Sequence, residues 1–160
     1  MGRGSTPATK QLDAARLPFV VHAFDPSTAD DGDGYGLAAA KALGVDPDRV
    51  FKTLIALVDD HPVAAVVPVS GKLSFRHLAT LAHGKRAEMC PPARAERITG
   101  YVVGGISPFG QKQRLPVYLD ETAELFDTIL VSGGKRGMDI EVGIAAFTEF
   151  LDATIGALVA

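Results

Sequence analysis

Short apolar runs rich in β-branched residues alternate with helix-like segments along the chain. The longest two runs cover 50–58 and 62–69, separated by Asp59, Asp60 and His61. This spacing is typical of a β-hairpin. Further strands are predicted at 19–24, 101–103, 117–119, 128–132 and 138–142. The pattern therefore predicts a strand-rich chain with a hairpin near its centre.

Capping residues and prolines mark the helices between these strands. Ser5 or Thr6 followed by Pro7 predicts a helix that ends before Pro18. Further helices are expected at 35–43, 74–82, 91–98, 121–126 and 145–151, with a helical turn at 46–48 and an acidic loop at 25–34. The strands outnumber the crossovers that a parallel sheet requires, so we expect an α+β fold with a mixed, barrel-like sheet and surrounding helices. No long linker or repeat divides the chain, which predicts a single domain over 1–160.

Composition excludes several classes of protein. The 160 residues are 47% hydrophobic, which is too apolar for a disordered chain, and a single cysteine permits neither an internal disulfide nor a zinc finger. No apolar run approaches the roughly 18 residues that span a bilayer. The net charge of −3 argues against a protein that coats DNA or other nucleic acid non-specifically. We therefore expect a cytoplasmic protein with neither a membrane nor a DNA partner.

The strongest functional signal is a glycine-rich segment at 104–112. Its glycines would let backbone N–H groups approach a phosphate or a developing oxyanion closely. Gly105 and Gly110 have the spacing of a phosphate-binding P-loop, but Gln111 stands where the lysine should follow and Lys112 comes one residue late. A nucleotide triphosphatase is therefore disfavoured, and a tight turn between strands remains the structural alternative.

A second glycine string at 132–139 places Lys135 and Arg136 in a turn, followed by Asp139. Such a turn can hold a phosphate or a ribose, or it can be a solvated hairpin loop. Lys52 is a charge inside an apolar strand, which suits either an edge residue or a lysine directed into a pocket.

Metal and thiol chemistry find less support in the sequence. The four histidines form no metal-binding motif, and the acidic run at 30–33 lacks the glutamate of a calcium loop. Cys90 has no histidine nearby in the sequence that would lower its pKa. No metal site is predicted, and Cys90 is interpreted as a bystander.

The segments 50–54, 66–71, 100–116 and 131–141 together resemble the YbaK/EbsC family. These proteins are trans-acting aminoacyl-tRNA deacylases, related to the editing domain of bacterial prolyl-tRNA synthetases. The likeness runs from about Leu12 to Asp152. It implies a barrel-like fold with surrounding helices, removal of cysteine from proline tRNA, no metal or organic cofactor, and prolyl-tRNA synthetase as a possible partner alongside the tRNA.

The resemblance also implies roles for individual residues. Lys52 matches an essential lysine near the terminal adenosine of the tRNA. Backbone amides around the ester carbonyl correspond to Gly104, Gly105, Ile106, Ser107 and Pro108, and the aminoacyl group and its amine to Thr53, Ser132 and Asp139. Lys135 and Arg136 are inferred to lie near phosphate or ribose. In this family the cysteine thiol of the substrate is understood to attack its own ester, which suits a chain without an evident Ser-His-Asp or Cys-His pair.

One departure concerns the pocket. Phe24 stands where the family often has a tyrosine, and Tyr35 where a phenylalanine is common. Loss of a hydroxyl at Phe24 puts the amino-acid specificity in question more than the reaction type. Three alternatives to a cysteine-specific deacylase stay open. They are an alanyl-tRNA deacylase of the ProX type, a non-catalytic module that binds tRNA or a synthetase, and a regulator that binds a nucleotide through the two glycine-rich segments.

Overall fold

The computed structural model describes residues 5–28 and 35–160. The helices are α1 (Pro7–Ala14), α2 (Tyr35–Leu43), α3 (Phe75–Leu81) and α4 (Pro92–Thr99). The strands are β1 (Phe19–Ala23), β2 (Phe51–Val58), β3 (His61–Pro68), β4 (Ala87–Met89), β5 (Val117–Asp120), β6 (Thr128–Lys135), β7 (Met138–Gly143) and β8 (Thr154–Gly156). Short 3₁₀ turns lie at Pro26–Thr28, Pro47–Arg49 and Glu121–Leu125, and a π-helical turn lies at Ala146–Phe150. Within the described ranges, no helix has the length and apolar character needed to cross a membrane.

Side-chain caps begin two of the helices, and the cap at Thr6 was predicted from the sequence. The Thr6 hydroxyl accepts the N–H of Thr9 ahead of α1, and the Ser74 hydroxyl accepts the N–H of His77 ahead of α3. Each cap satisfies a backbone donor that has no partner within the helix. Just after α3, His83 is left-handed, with φ of 59°.

The predicted central hairpin is confirmed as β2 and β3. These antiparallel strands pair from Phe51 opposite Pro68 to Val58 opposite His61, so the loop is only Asp59 and Asp60. Both aspartates have positive φ, as a two-residue turn that matches the strand twist requires. His61, predicted as part of the loop, belongs to β3.

Two sheets form the framework. One has the order β4-β2-β3-β5-β8 and the other β1-β7-β6. The β3–β5 and β5–β8 pairs are parallel, and the other pairs within the sheets are antiparallel. A parallel bridge between Val50 and Leu130 connects the sheets. This arrangement confirms the predicted mixed α+β fold.

The alternation of side chains along β2 and β3 produces two cores. Phe51, Ile55 and Val66 face the core between the sheets, where α4 also packs through Ala95 and Ile98. The intervening residues face a smaller core on the opposite side of the five-stranded sheet, which α3 covers with Leu78 and Leu81. The five-stranded sheet is therefore buried on both faces, and α3 and α4 lie on opposite sides of it.

The structure corrects one predicted strand and adds two. Residues 101–103 form no strand: Tyr101 is buried and its hydroxyl donates to the Phe109 carbonyl at 2.6 Å, while Val102 and Val103 are exposed. β4 and β8, with three residues each, were not predicted. The predicted acidic loop at 25–34 falls largely outside the described residues.

Candidate active site

A cavity of about 480 Å³ lies at the edge of β2. β4 pairs only with Ala56–Val58, so the preceding part of β2 has no neighbouring strand on that side and borders the cavity. Because an edge of the strand lines the cavity, side chains from both of its faces reach it, among them Lys52 and Thr53. The volume is within the range of small-molecule sites.

One wall of the cavity is polar and is built mainly on strands. β2 supplies Lys52 and Thr53, β6 supplies Ser132, and β7 supplies Asp139, which lies directly opposite Ser132 in the sheet. The hydroxyl oxygen of Thr53 is buried and has no hydrogen-bond partner among the described residues. Since buried hydroxyls nearly always have partners, this atom is suited to bind a ligand.

Asp139 is a buried carboxyl group, only 7% exposed. Burial raises its pKa to about 7, and the nearby charge of His22 acts in the opposite direction. His22 lies across from Asp139 in β1, and its Nε2 is 2.9 Å from Oε1 of Glu141. Arg49 donates to the other oxygen of Glu141 at 2.7 Å. A ligand cation beside Asp139 would therefore favour its ionised form near neutral pH.

Tyr35 and Arg136 form a second part of the wall. The Tyr35 hydroxyl accepts the N–H of Gly137 at 2.9 Å, and the Arg136 guanidinium lies 4.1 Å from the centre of the Tyr35 ring. Burial is the main cause that raises the pKa of Tyr35. Phe24 is not part of the cavity wall; its ring packs 6.1 Å from the Tyr35 ring. A tyrosine hydroxyl is thus present at this side of the cavity, but it comes from α2 and is engaged with the backbone.

The glycine-rich segment 104–110 contributes to the cavity only through its beginning. Gly104 and Ile106 line the wall, and their N–H groups donate to no acceptor among the described residues. The Gly105 N–H is used in a turn, donating to the Val102 carbonyl at 2.9 Å. Ser107 is fully buried and its hydroxyl accepts the Phe109 N–H at 3.2 Å. Two residues of the cavity wall therefore carry backbone N–H groups without an acceptor in the described part of the chain.

The predicted site residues divide into two groups. The structure brings eight of them together around the cavity: Tyr35, Lys52, Thr53, Gly104, Ile106, Ser132, Arg136 and Asp139. Five others do not line it: Phe24, Gly105, Ser107, Pro108 and Lys135. Ser107 and Pro108 are buried beside the core, and Lys135 is exposed on the β6–β7 hairpin.

One apolar part of the wall was not found from the sequence. It consists of Met89, Cys90, Pro92, Ala95 and Val103. Cys90 was interpreted as a bystander, yet its residue borders the cavity; it is 4% exposed, and burial raises the pKa of its thiol. The only signal for this wall was the Pro91-Pro92 pair that starts α4. Across residues 5–28 and 35–160, no three His, Cys, Asp or Glu side chains are arranged to hold a metal ion.

Comparison with known proteins places this chain in a family. The model of the aminoacyl-tRNA editing domain matches residues 36–150. EbsC of Enterococcus faecalis, named "Putative Cys-tRNA(Pro)/Cys-tRNA(Cys) deacylase", is 42% identical over 142 residues, covering 86% of this chain and 82% of EbsC. The proline–tRNA ligase of Maridesulfovibrio salexigens is 34% identical over 95 residues, which cover 59% of this chain and 16% of the ligase.

Solved structures give the same fold. A crystal structure described as "a putative trans-editing enzyme for prolyl tRNA synthetase" superposes with a TM-score of 0.84 at 20% identity, covering 100% of this chain and 99% of that one. The resemblance identified from the glycine motifs and the Lys52 strand is thereby confirmed. The chain belongs to the family of aminoacyl-tRNA editing domains.

Proposed function

We propose that this editing domain removes cysteine wrongly attached to proline tRNA, with the aminoacyl end of the tRNA in the cavity at the edge of β2. One observation carries the proposal: a cation, a buried carboxyl group and two available backbone N–H groups meet in that cavity. The name of EbsC supports cysteine as the amino acid. Since a synthetase discriminates poorly between amino acids of similar size, a separate hydrolytic site is needed.

The N–H groups of Gly104 and Ile106 are the proposed oxyanion donors. Both residues line the cavity, and neither N–H group has a protein acceptor among the described residues. Charge develops on the carbonyl oxygen of the ester as the transition state forms. Preorganised donors aimed at that oxygen can lower the barrier by about 3 kcal/mol each. Of the five residues 104–108 expected to surround the ester carbonyl, we therefore assign the oxyanion role to the backbone N–H groups of two.

Asp139 is the proposed acceptor for the α-ammonium group of the bound amino acid. Ser132 lies opposite it and adds a hydroxyl on the same side of the cavity. A bound ammonium group would stabilise the carboxylate that burial otherwise disfavours. Recognition of the free amine would orient the ester towards Gly104.

Lys52 and Thr53 are proposed to hold the terminal adenosine and the ester. Lys52 supplies a positive charge, and the buried Thr53 hydroxyl gains the hydrogen bond that it lacks in the protein alone. Of the two hairpin cations, Arg136 lines the cavity and would face a phosphate or the ribose, whereas Lys135 lies outside the wall.

The proposed reaction uses the thiol of the substrate as the nucleophile. The cysteine sulfur attacks its own carbonyl carbon, a C–S bond forms, and the C–O bond to the ribose breaks. The thiol proton passes to the departing ribose oxygen, which gives a thiolactone and free tRNA. The protein contributes orientation and electrostatic stabilisation, which accords with Ser107 being buried and hydrogen-bonded away from the cavity.

Alanine is the second candidate amino acid. The apolar wall formed by Met89, Cys90, Pro92 and Ala95 would accept a methyl group as readily as a thiol. Because the difference between small apolar groups is worth only about 1–3 kcal/mol in a pocket, shape alone cannot reject alanine. Discrimination between cysteine and alanine would instead come from the reaction, because only cysteine carries a thiol that can attack the ester.

Release of labelled amino acid from Cys-tRNA(Pro), Ala-tRNA(Pro) and Pro-tRNA(Pro) tests the proposal. We expect rapid loss of cysteine alone, measured against buffer without protein. Release of alanine instead would keep the reaction class and overturn the amino acid. Release of none of the three would reject deacylation of these substrates and favour a non-catalytic binding module.

The thiol mechanism has its own test. A tRNA charged with 2-aminobutyrate has a methyl group in place of the thiol and the same shape otherwise. We expect no release from it above the buffer rate, although it should compete with Cys-tRNA(Pro) for binding. Release at the cysteine rate would show that water or a protein group is the nucleophile.

We also propose that the chain acts in the cytoplasm, where tRNA is charged, and that it meets its substrate beside prolyl-tRNA synthetase. Its net charge of −3 provides little general attraction for tRNA. Copurification of the two proteins in the presence of proline tRNA tests the association, and its absence under those conditions would argue for an independent enzyme.

A further inference from the structure

Charge is distributed unevenly along the chain. Residues 61–119 contain eight of the 16 Lys and Arg residues but only two of the 19 Asp and Glu residues. This segment therefore has a formal charge of +6 and the rest of the chain −9, within a net charge of −3. Concentration of cations in one part of a chain is the electrostatic feature expected of a surface that binds a polyanion.

Three of these cations lie on α4 or at its C-terminal end. Arg94 and Arg97 are one turn apart on α4, and the charge of each acts on Cys90 in the apolar wall. Lys112 lies at the other end of the helix, where its N–H donates to the Thr99 carbonyl at 2.9 Å. We call Arg94, Arg97 and Lys112 the α4 strip. The helix beneath it is about 12 Å long.

The positive charges of the α4 strip are not neutralised by carboxylates of the described residues. Glu96 is the carboxylate within α4, and it accepts the N–H of Val103 at 2.9 Å. None of the three cations forms an ion pair within the described part of the chain, and Arg97 and Lys112 are exposed. The Glu96 bond also ties α4 to the loop that carries Gly104, so the α4 strip and the cavity are held in one arrangement.

We propose that the α4 strip binds backbone phosphates of the tRNA acceptor stem while the aminoacyl end occupies the cavity, an inference that rests on the proposed function. α4 supplies Pro92 and Ala95 to the cavity wall, so a nucleic acid whose end enters the cavity passes this helix as it leaves. Contacts to phosphates carry no sequence information, and double-stranded RNA is read mainly by shape and backbone. The strip therefore supplies affinity for the stem, and the cavity supplies specificity for the amino acid.

α3 provides a matched control. Lys72 and Arg76 are also exposed cations from the basic segment, but α3 covers the opposite side of the five-stranded sheet. Removing this pair changes the net charge as much as removing Arg97 and Lys112. Any difference between the two double variants then depends on position and not on total charge.

The test compares Arg97→Ala/Lys112→Ala with Lys72→Ala/Arg76→Ala. The Kd for uncharged proline tRNA is measured between about 50 and 200 mM salt. We expect the α4 variant to bind about tenfold more weakly at low salt. The slope of log K against log salt concentration should be smaller by about two, which corresponds to two lost phosphate contacts. The Kd of the α3 variant should stay within about twofold of the original. Equal weakening in both variants, or none in the α4 variant, would overturn the inference.

Deacylation kinetics separate this inference from the proposed function. With Cys-tRNA(Pro), the α4 variant should show a KM raised about tenfold and an unchanged kcat. If the original protein deacylates and the α4 variant has an unchanged KM, the inference fails and the proposed function stands. If the original protein deacylates nothing but the Kd values change as expected, the function fails and the stem surface stands. Loss of binding to prolyl-tRNA synthetase with unchanged tRNA binding would overturn the inference in favour of a protein partner.

Discussion

The two glycine-rich segments look equivalent in sequence but serve different purposes in the structure. In the first, Gly104 borders the cavity, whereas Gly110 packs onto the start of α1, where an added Cβ would lie 2.4 Å from the Pro7 carbonyl carbon. In the second, Gly134 and Gly137 pack against protein groups, and the cavity is reached by Ser132 and Arg136. A glycine string is therefore weak evidence for a ligand loop, because close packing between backbones requires glycine as well.

The two segments also contact each other. An added Cβ at Gly105 would lie 3.0 Å from the Lys135 Cα, and one at Gly104 would lie 2.8 Å from Nη1 of Arg136. The first of these neighbours is backbone, and the second is the end of a flexible side chain. Substitutions at glycines can thus separate a packing role from a role in the site.

The largest expected effect is on stability, at Gly110. Its φ of +70° is unfavourable for alanine, and the backbone of Pro7 cannot move aside. Gly110→Ala should lower the free energy of unfolding by about 3 kcal/mol or more. Gly44→Ala is the control, because Gly44 has the same φ with nothing within 4 Å of the added Cβ; it should lose only about 1 kcal/mol. Equal losses in urea titrations would contradict the packing role of Gly110.

The next effect is on the reaction, at Asp139. Asp139→Asn should reduce cysteine release about 100-fold, because the amide cannot offer a negative charge to the ammonium group. The rate of the original protein should rise as the pH passes about 7, the pKa that burial gives this carboxyl. Rates of the variant within twofold of the original across this range would remove Asp139 from the site.

Asp139 should also make stability depend on pH. Its pKa is above the ordinary 3.8, so the folded protein binds more protons at this position than the unfolded chain between about pH 4 and 7. The contribution of this carboxyl to the free energy of unfolding therefore falls as pH rises through that interval and is constant above it. The difference between Asp139→Asn and the original should grow from about pH 4 to pH 7 in urea titrations, in favour of the variant, and change little above that interval. A constant difference would contradict the raised pKa.

The smallest expected effect is at Gly104, on the cavity side of the first segment. Gly104→Ala shares the unfavourable positive φ, here +94°, but the added Cβ presses only on the flexible end of Arg136, so the clash itself is relieved at little cost. We expect about a tenfold loss of cysteine release, because displacing Arg136 and the Gly104 N–H disturbs the site, and a loss of stability smaller than that of Gly110→Ala. If Gly104→Ala is as unstable as Gly110→Ala with unchanged specific activity, the contrast between the two ends of the segment is wrong.

Local signals in the sequence were sufficient for the elements that depend on local interactions. The cap at Thr6 and the hairpin around Asp59 and Asp60 were predictable from turn and capping chemistry. β4 and β8 were not, since strands of three residues form only where a partner strand already exists. The predicted strand at 101–103 is wrong because the Tyr101 ring is drawn into the core and leaves two valines exposed.

The candidate site also has parts that the sequence predicts and parts that depend on the fold. Lys52 stands out in the sequence because it is charged among apolar residues, and the glycine strings stand out by composition. Cys90 and Ala95 border the cavity because β4 pairs only with the last residues of β2, and the chain that follows β4 lines the cavity beside the unpaired part. The His22–Glu141–Arg49 contacts beside Asp139 join three distant segments, so no local pattern could reveal them.

The central question is whether the chemistry depends on Lys52 in β2 or on Ser107 in the glycine-rich segment. We would measure single-turnover release of cysteine from Cys-tRNA(Pro) by Lys52→Ala and by Ser107→Ala, at equal concentrations of folded protein. Lys52 lines the cavity, whereas the buried Ser107 hydroxyl serves the Phe109 N–H. We expect Lys52→Ala to be at least about 100-fold slower, and Ser107→Ala to be less stable by about 1–2 kcal/mol but to release cysteine at the original rate. Retained activity in Lys52→Ala together with its loss in Ser107→Ala would contradict the proposed site.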